Sequence, residues 1–311
     1  FTDAPFRHVY IEDFFTAADF DAIVQSREIR TRTASHDEEL FENLKSAGYK
    51  TIEFPGCITD KAEYIAWHAQ KGDHDSIESS CEGFGLTMRL YDIDTPIVKD
   101  LNAFLASEPF NKAVAAKFDI DYVATTTDCG IQKYLDGYEI SPHPDIRRKA
   151  ATYMVNINPH VGSEKLNHHT HYLRFKHDRA YVQEFWETRS DCDRCWVPWD
   201  WCESVKTQTK NNSIVLFSPG NDTMHAVKAD YDHLAGQRTQ LYGNLWHHPV
   251  RLAKPNWEFF DGREPFPTIQ EEPRSVTQKG LAGVLRKTIR KVRKTLSPAV
   301  SKDELGKRNY N

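Results

Sequence analysis

Apolar positions recur at helical spacing through the first 118 residues and switch to strand-like alternation from about residue 120. Phe6–Ile11 reads as a short strand. A helix follows that Asp13 or Thr16 caps and that turns Phe20, Ile23 and Val24 to one side. Residues 31–95 are charge-rich, with helices predicted over Glu39–Ala47 and Lys61–Ala69. Ile97, Leu101, Phe104 and Leu105 make a helical face within 96–118, punctuated by Pro109. The β-prone runs are Tyr122–Thr127, Gly130–Leu135, Ala151–Ile157, Ser213–Phe217, His225–Val227 and Gln237–Trp246. Gly, Pro, Asn and Asp separate them, the signature of short antiparallel strands in a sandwich or barrel. Helices first and strands later predict an α+β domain. The chain carries no Gly-rich phosphate loop, no dinucleotide fingerprint and no fixed-period repeat.

The texture changes again near residue 264. Pro265, Pro267 and Pro273 mark 264–279 as a linker between a 1–263 domain and a 280–311 tail. Within the tail, Leu281, Leu285, Ile289, Val292 and Leu296 repeat at helical spacing over 280–296. Arg286, Lys287, Arg290, Lys291, Arg293 and Lys294 add six positive charges. Such a basic amphipathic helix suits an anionic membrane surface; the alternatives are packing on its own domain or docking on a partner.

Composition narrows the class. The chain has 311 residues, 39% of them hydrophobic, enough for a substantial core. With 40 Lys and Arg against 45 Asp and Glu, the net charge of −5 argues against a nucleic-acid partner. No apolar run approaches the roughly 18 residues of a membrane span. Six cysteines without a secretory leader predict thiols and a cytoplasmic protein, peripheral on the inner face of a membrane if 280–296 binds there. Cys192, Cys195 and Cys202 are too few for a convincing zinc site, which stays open as an alternative.

The chemistry concentrates at His143-Pro144-Asp145. A His-x-Asp is common by chance, and His36-Asp37-Glu38 is a second match in a polar stretch. His143 instead follows one strand-like run and precedes another, and Pro144 biases it toward extended backbone. A facial metal site of two His and one carboxylate needs a second His from a distant strand, leaving three positions open. His225 begins a strand about eighty residues on, and Arg238 begins another thirteen positions later. Alternation puts Arg238, Gln240, Tyr242, Asn244 and Trp246 on one face of that strand. On the earlier strand, Thr152, Met154 and Asn156 share a face, with Tyr153, Val155 and Ile157 opposite. Two polar faces of this kind describe a lined interior; the alternative is an ordinary sandwich with one wet side.

This order, on short strands, resembles the iron(II)/2-oxoglutarate-dependent oxygenases, in their prolyl 4-hydroxylase-like branch. The segments that carry the resemblance are QKYLDGYEISPHPDIRRKAATYMVNINP, NNSIVLFSPGNDTMHAV and the opening PFRHVYIEDFF, within roughly residues 5–250. The resemblance implies a double-stranded β-helix, or jelly roll, behind N-terminal helices. It implies Fe(2+) held by His143, Asp145 and His225, with 2-oxoglutarate and O2 as cosubstrates. Arg238 would bind the distal carboxylate of 2-oxoglutarate, helped by Tyr134, Thr152 and Asn156. The activity implied is hydroxylation of an unactivated C–H bond; related halogenases lack the carboxylate that Asp145 supplies, and desaturation or ring closure are variants.

One departure bears on substrate. Where the branch carries a Gly-Gly-Glu-type turn, this chain reads NPHVGSEKLNHHTHYLRF. Arg147, Arg148, His171 and Trp246 are the substrate-side candidates. With the basic tail, the resemblance extends to hydroxylases of membrane-linked sugars such as Kdo, making a glycolipid one substrate class. A free amino acid or another small metabolite is the alternative, and a non-catalytic, cupin-like metal-binding jelly roll is the reading from another class.

Overall fold

The computed structural model describes residues 1–248 except 54–55, 71–82, 190–191 and 194, so the expected linker and the basic segment 280–296 lie outside the described residues. No helix among the described residues is long and apolar enough to cross a membrane. The N-terminal part holds strand β1 (Val9–Ile11), helices α1 (Ala17–Gln25) and α2 (Asp37–Ser46), strand β2 (Tyr49–Thr51), helix α3 (Lys61–His68), strand β3 (Thr87–Leu90), and helices α4 (Pro96–Ala106) and α5 (Glu108–Lys117). Their ends follow local chemistry. Thr16 caps α1, as expected, by accepting the Asp19 N–H, and Asp60 caps α3 by accepting from Glu63. The predicted run 96–118 divides at Ser107, which caps α5, and Pro109 sits in the first turn where its missing N–H is harmless.

Eight strands follow: β4 (Thr125–Tyr134), β5 (Glu139–His143), β6 (Lys149–Asn156), β7 (Thr170–Phe175), β8 (Cys202–Thr207), β9 (Ile214–Phe217), β10 (His225–Lys228) and β11 (Arg238–His247), with α6 (Tyr181–Thr188) between β7 and β8. They form two antiparallel sheets. One has the order β1-β9-β6-β11-β4-β3-β2, the other β5-β10-β7-β8. Within β4–β11 the chain passes repeatedly from one sheet to the other, and the inner order β9-β6-β11-β4 facing β5-β10-β7-β8 is that of a double-stranded β-helix. The expected jelly roll is therefore present, extended at one edge by β3 and β2 and at the other by β1. Two strands and a helix differ from the sequence reading. Residues 170–175 and 202–207 are strands and 181–188 a helix, where a histidine-rich segment and a Trp- and Cys-rich loop were expected.

Alternation sorts the side chains. Tyr153, Val155, Leu241 and Leu245 face outward from the larger sheet into the main core, against helix residues such as Leu101, Leu105 and Val114. The outer face of the smaller sheet is covered by Val182, Val197, Trp199 and Trp201, which accounts for those two tryptophans as packing. The inner faces enclose a cavity. The tightest approach in the main core is at Gly243, directly opposite Tyr153 on β6. A Cβ there would lie 2.1 Å from the Tyr153 ring carbon Cζ, and Tyr153 is held edge-on by Phe110. We expect Gly243→Ala to destabilise the domain by about 1–3 kcal/mol through overpacking, read as a lowered denaturant midpoint at unchanged slope.

Candidate active site

The register of β5 against β10 places His143 directly opposite His225, with ring centroids 4.2 Å apart. Asp145 lies two residues beyond β5 with φ +77°, a left-handed conformation that folds its carboxylate back toward the two rings. The ligand atoms of all three residues fall within 4.8 Å of one another. Each imidazole is oriented by its own strand. Nδ1 of His143 is 2.8 Å from the Ser141 carbonyl oxygen, and Nδ1 of His225 is 2.9 Å from that of Thr223. A carbonyl oxygen only accepts, so both Nδ1 atoms carry the proton and both Nε2 atoms present lone pairs. Burial lowers both histidines, His143 to about 3, assisted there by the neighbouring His225. Burial works to raise Asp145, but Lys149 and the two histidines outweigh it and hold the carboxylate below its ordinary range. Two neutral imidazoles and one carboxylate are the ligand states a divalent metal requires.

A second group of Asp37, His68 and His233 also lies within 4.8 Å, and these two groups are the only ones among the described residues. Its hydrogen bonds distinguish it. The Asp136 backbone N–H donates to His233 Nδ1 at 3.1 Å, so the His233 proton sits on Nε2, which donates to Asp37 at 2.8 Å. His68 contacts carboxylates through both nitrogens, Asp37 at 2.7 Å and Asp136 at 2.9 Å. Protons occupy the positions a metal would need, and the cluster is a hydrogen-bonded clasp. Cys192, Cys195 and Cys202 do not come together as a ligand set among the described residues, and Cys202 is buried behind the smaller sheet.

The metal group opens on a cavity of about 570 Å³ between the two sheets, with Arg238 also on its wall. Arg238 is buried, at 2% exposure. Its Nη2 donates to Thr170 Oγ1 and Gln240 Oε1, both at 2.9 Å, and its guanidinium lies 4.5 Å over the Tyr134 ring. Its Nη1 is buried with no hydrogen-bond partner among the described residues. A guanidinium braced by neutral groups, on the wall of a cavity, has the chemistry to receive a carboxylate.

The other expected site residues divide. Tyr134 and Trp246 line the cavity. Thr152 lines it too, but its hydroxyl reaches Asp145 Oδ2 at 2.9 Å and so orients that carboxylate. Asn156 stands one step back. Its Oδ1 accepts from Gln240 Nε2 at 2.8 Å, and its amide donates to the Gln208 carbonyl, so it braces the residue that braces Arg238. Arg147 is tied into packing. It stacks 3.9 Å over Trp186 and donates to the Cys192 and Trp186 carbonyl oxygens. Arg148 pairs with Asp193 at 2.9 Å on a half-exposed surface. His171 is turned away: β7 points Thr170 and Tyr172 inward, leaving His171 against Ser204 and Trp199. The residue the sequence reading missed is Lys149, whose Nζ lies 2.6 Å from Asp145 Oδ1.

No protein-family model matches this chain, and no curated protein matches it in sequence. Among solved structures, it is similar to a prolyl-4-hydroxylase from Pseudomonas putida at 10% identity, covering 78% of this chain and 92% of that one, with a TM-score of 0.37. A prolyl hydroxylase from Trichoplax adhaerens, solved with a hypoxia inducible factor peptide, gives 10% identity, 77% and 83% coverage and a TM-score of 0.40. HygX from Streptomyces hygroscopicus, solved with nickel and 2-oxoglutarate, gives 11% identity, 71% and 91% coverage and a TM-score of 0.30. These superpositions are loose, and the fold assignment rests on the strand order and register above.

The clasp predicts a pH dependence. The hydrogen bond to Asp136 raises His68 above its ordinary 6.5, against the opposing effect of burial, and Asp37 adds to the rise. A raised histidine contributes stability that is complete below its unfolded value and lost as pH rises through its folded one. Burial would raise Asp37, but hydrogen bonds from His233 and His68 hold it low, so its contribution is lost only as pH falls into the acid range. We expect wild type to be more stable than His68→Gln by on the order of 1 kcal/mol at pH 6, and this difference to shrink toward pH 8.5 as His68 loses its proton. Chemical denaturation at a series of pH values checks this; parallel profiles for the two proteins would refute it.

Proposed function

We propose that this protein is an iron(II)- and 2-oxoglutarate-dependent dioxygenase that hydroxylates a C–H bond of a small polar substrate. The observation that carries the reading is the pairing, in one cavity, of the His143–Asp145–His225 group with a buried arginine whose Nη1 lacks a partner among the described residues. Both halves fit their groups. Two lone-pair-bearing Nε2 atoms and a carboxylate suit a hard-to-borderline divalent metal and leave three positions for other ligands. A buried guanidinium suits the distal carboxylate of a dicarboxylate.

When bound, iron, 2-oxoglutarate and O2 would supply the oxidation of the substrate C–H bond, with 2-oxoglutarate converted to succinate and CO2. The chain's own work is binding and orientation. His143 and His225 would hold the metal through Nε2, with Ser141 and Thr223 fixing their tautomers. Arg238 would clamp the distal carboxylate, kept in place by Thr170, Gln240 and the Tyr134 ring. The two sheets line the cavity on either side of the metal group.

The substrate side of the cavity supports a polar ring or amino acid. Tyr91, Trp196 and Trp246 offer aromatic faces beside the Arg89–Asp128 ion pair, whose atoms are 2.9 Å apart. A sugar would lay its apolar face on such rings and its hydroxyls on the charged pair, which supports the membrane-linked sugar reading, Kdo being one example. A free amino acid suits the same wall, and product analysis over the two classes separates them.

Uncoupled turnover tests the core of the proposal. Wild type should convert 2-oxoglutarate to succinate slowly in the presence of Fe(II) without added substrate. Arg238→Ala should weaken 2-oxoglutarate binding by about 2–5 kcal/mol, at least thirtyfold, with metal affinity nearly unchanged. His225→Ala should lose tight metal binding. Calorimetry with Fe(II) under anaerobic conditions, then with 2-oxoglutarate, reads both; a wild-type protein that holds metal but ignores 2-oxoglutarate would leave the cupin-like binding protein as the answer.

A further inference from the structure

A carboxylate offers about four acceptor sites, two on each oxygen. Oδ1 of Asp145 accepts from Lys149 Nζ at 2.6 Å and from the Ile146 backbone N–H at 3.2 Å, which fills both of its sites. Oδ2 accepts from Thr152 Oγ1 at 2.9 Å. That hydroxyl also lies 3.0 Å from Asn244 Oδ1, and its single proton serves one oxygen or the other. Oδ2 therefore keeps at least one open site, and Oδ1 keeps none.

Lys149 is placed for this role by the fold. Strict alternation from the inward-facing Thr152 would turn Lys149 out of the cavity. The pairing of β6 with β11 breaks between Leu245 and Trp246: Leu245 lies opposite Ala151, Trp246 opposite Lys149, and Ala150 is the extra residue. This bulge re-aims Lys149 inward. Its ammonium then lies 5.7 Å from the centroids of both the Tyr242 and the Trp246 rings. Its side chain is 11% exposed and that of Asp145 4%, so the pair is shielded from solvent.

We propose that Lys149 is a positioning residue that withholds Oδ1 of Asp145, so that the carboxylate meets the metal through Oδ2 alone. The inference rests on the iron and 2-oxoglutarate reading of this site. A carboxylate chelating through both oxygens would take two positions on the metal. Held to one, Asp145 leaves three with the two histidines in place, of which a 2-oxo acid needs two and a third reactant one. The Ile146 N–H is too long to withhold Oδ1 alone, and the lysine is the stronger donor because it is charged and short.

The test uses the full chain with Co(II) as the metal probe, whose visible absorption reports coordination. Lys149→Met removes the ammonium and keeps the apolar stem; Lys149→Arg keeps a cation. Wild type should bind Co(II) and then 2-oxoglutarate. Lys149→Met should still bind Co(II), with an altered absorption spectrum, and should lose about tenfold or more in 2-oxoglutarate affinity, in line with the cost of removing a partner of a metal ligand. Lys149→Arg should recover most of that loss and the wild-type spectrum. Should Lys149→Met fail to fold, Lys149→Gln reads the same way, because its shorter side chain leaves Oδ1 without its strong donor. A wild-type spectrum and wild-type 2-oxoglutarate affinity in the Met or Gln variant would overturn the proposal. So would joint loss of metal binding and thermal stability that Arg does not rescue, which marks a merely structural residue. If wild type itself binds Co(II) but not 2-oxoglutarate, it is the oxygenase reading that fails, and the positioning role falls with it.

Discussion

The register between β5 and β10 is the constraint on which the site depends. A slip of one residue would turn His143 or His225 out of the cavity, because side chains on a strand alternate between faces. The register is held by what flanks the histidines. On β10, Ala226 packs behind the smaller sheet while Val227 packs with Tyr134, Tyr138 and Tyr231. On its other side β10 pairs with β7, His225 lying opposite Tyr172, which is fully buried. The metal group is thus set by apolar packing on both sides of a four-residue strand. The left-handed turn at Asp145 then completes it, a local conformation that costs about 1–2 kcal/mol and persists because the strands on either side fix the chain.

The cavity treats its two buried cations differently. Lys149 is neutralised inside the protein by Asp145, and the pair sits at the metal end. Arg238 has only neutral partners: a threonine, a glutamine amide and a tyrosine ring. Burying a guanidinium without a carboxylate is unfavourable, and burial lowers its affinity for its proton accordingly. The scaffold holds it there through a chain of hydrogen bonds running Arg238, Gln240, Asn156 and the Gln208 carbonyl. Stabilising a charge in a place where the protein alone does not satisfy it is the mark of a binding group, with rigidity supplied in advance.

Much of this was legible in the sequence because it obeys strict alternation. Arg238, Gln240 and Tyr242 share a face in the chain as they do on β11, and the His-Pro-Asp turn stands between two recognisable strands. The departures are where alternation fails or is hidden. The bulge at Ala150 reverses the phase of Lys149, and no local signal announces a bulge that exists only in the pairing with β11. Only Cys202 is buried along strand β8, so the strand lacks the apolar rhythm that would mark it. His171 was grouped with the other histidines by proximity in the chain, yet β7 puts it on the face opposite Thr170. Asn156 was on the correct face, but whether it touches a ligand or a neighbouring side chain is decided by Gln240, one strand away.

The two clusters of histidine and aspartate show why composition and proximity do not define a metal site. Each gathers two imidazoles and a carboxylate within the same span. What separates them is the group behind each ring, a backbone carbonyl for His143 and His225, a backbone N–H for His233. The second cluster nevertheless reaches the first site by a different route. Asp136 accepts from His68 with one oxygen and from the Tyr231 backbone N–H with the other. The Tyr231 hydroxyl in turn accepts the Arg238 backbone N–H at 2.9 Å and donates to the Tyr134 carbonyl. The clasp therefore fixes the segment that starts β11, and with it the height of Arg238 in the cavity. The metal end is set by the β5–β10 register. One cavity thus has two independent anchors, strand pairing at the metal end and a proton-holding clasp behind the arginine.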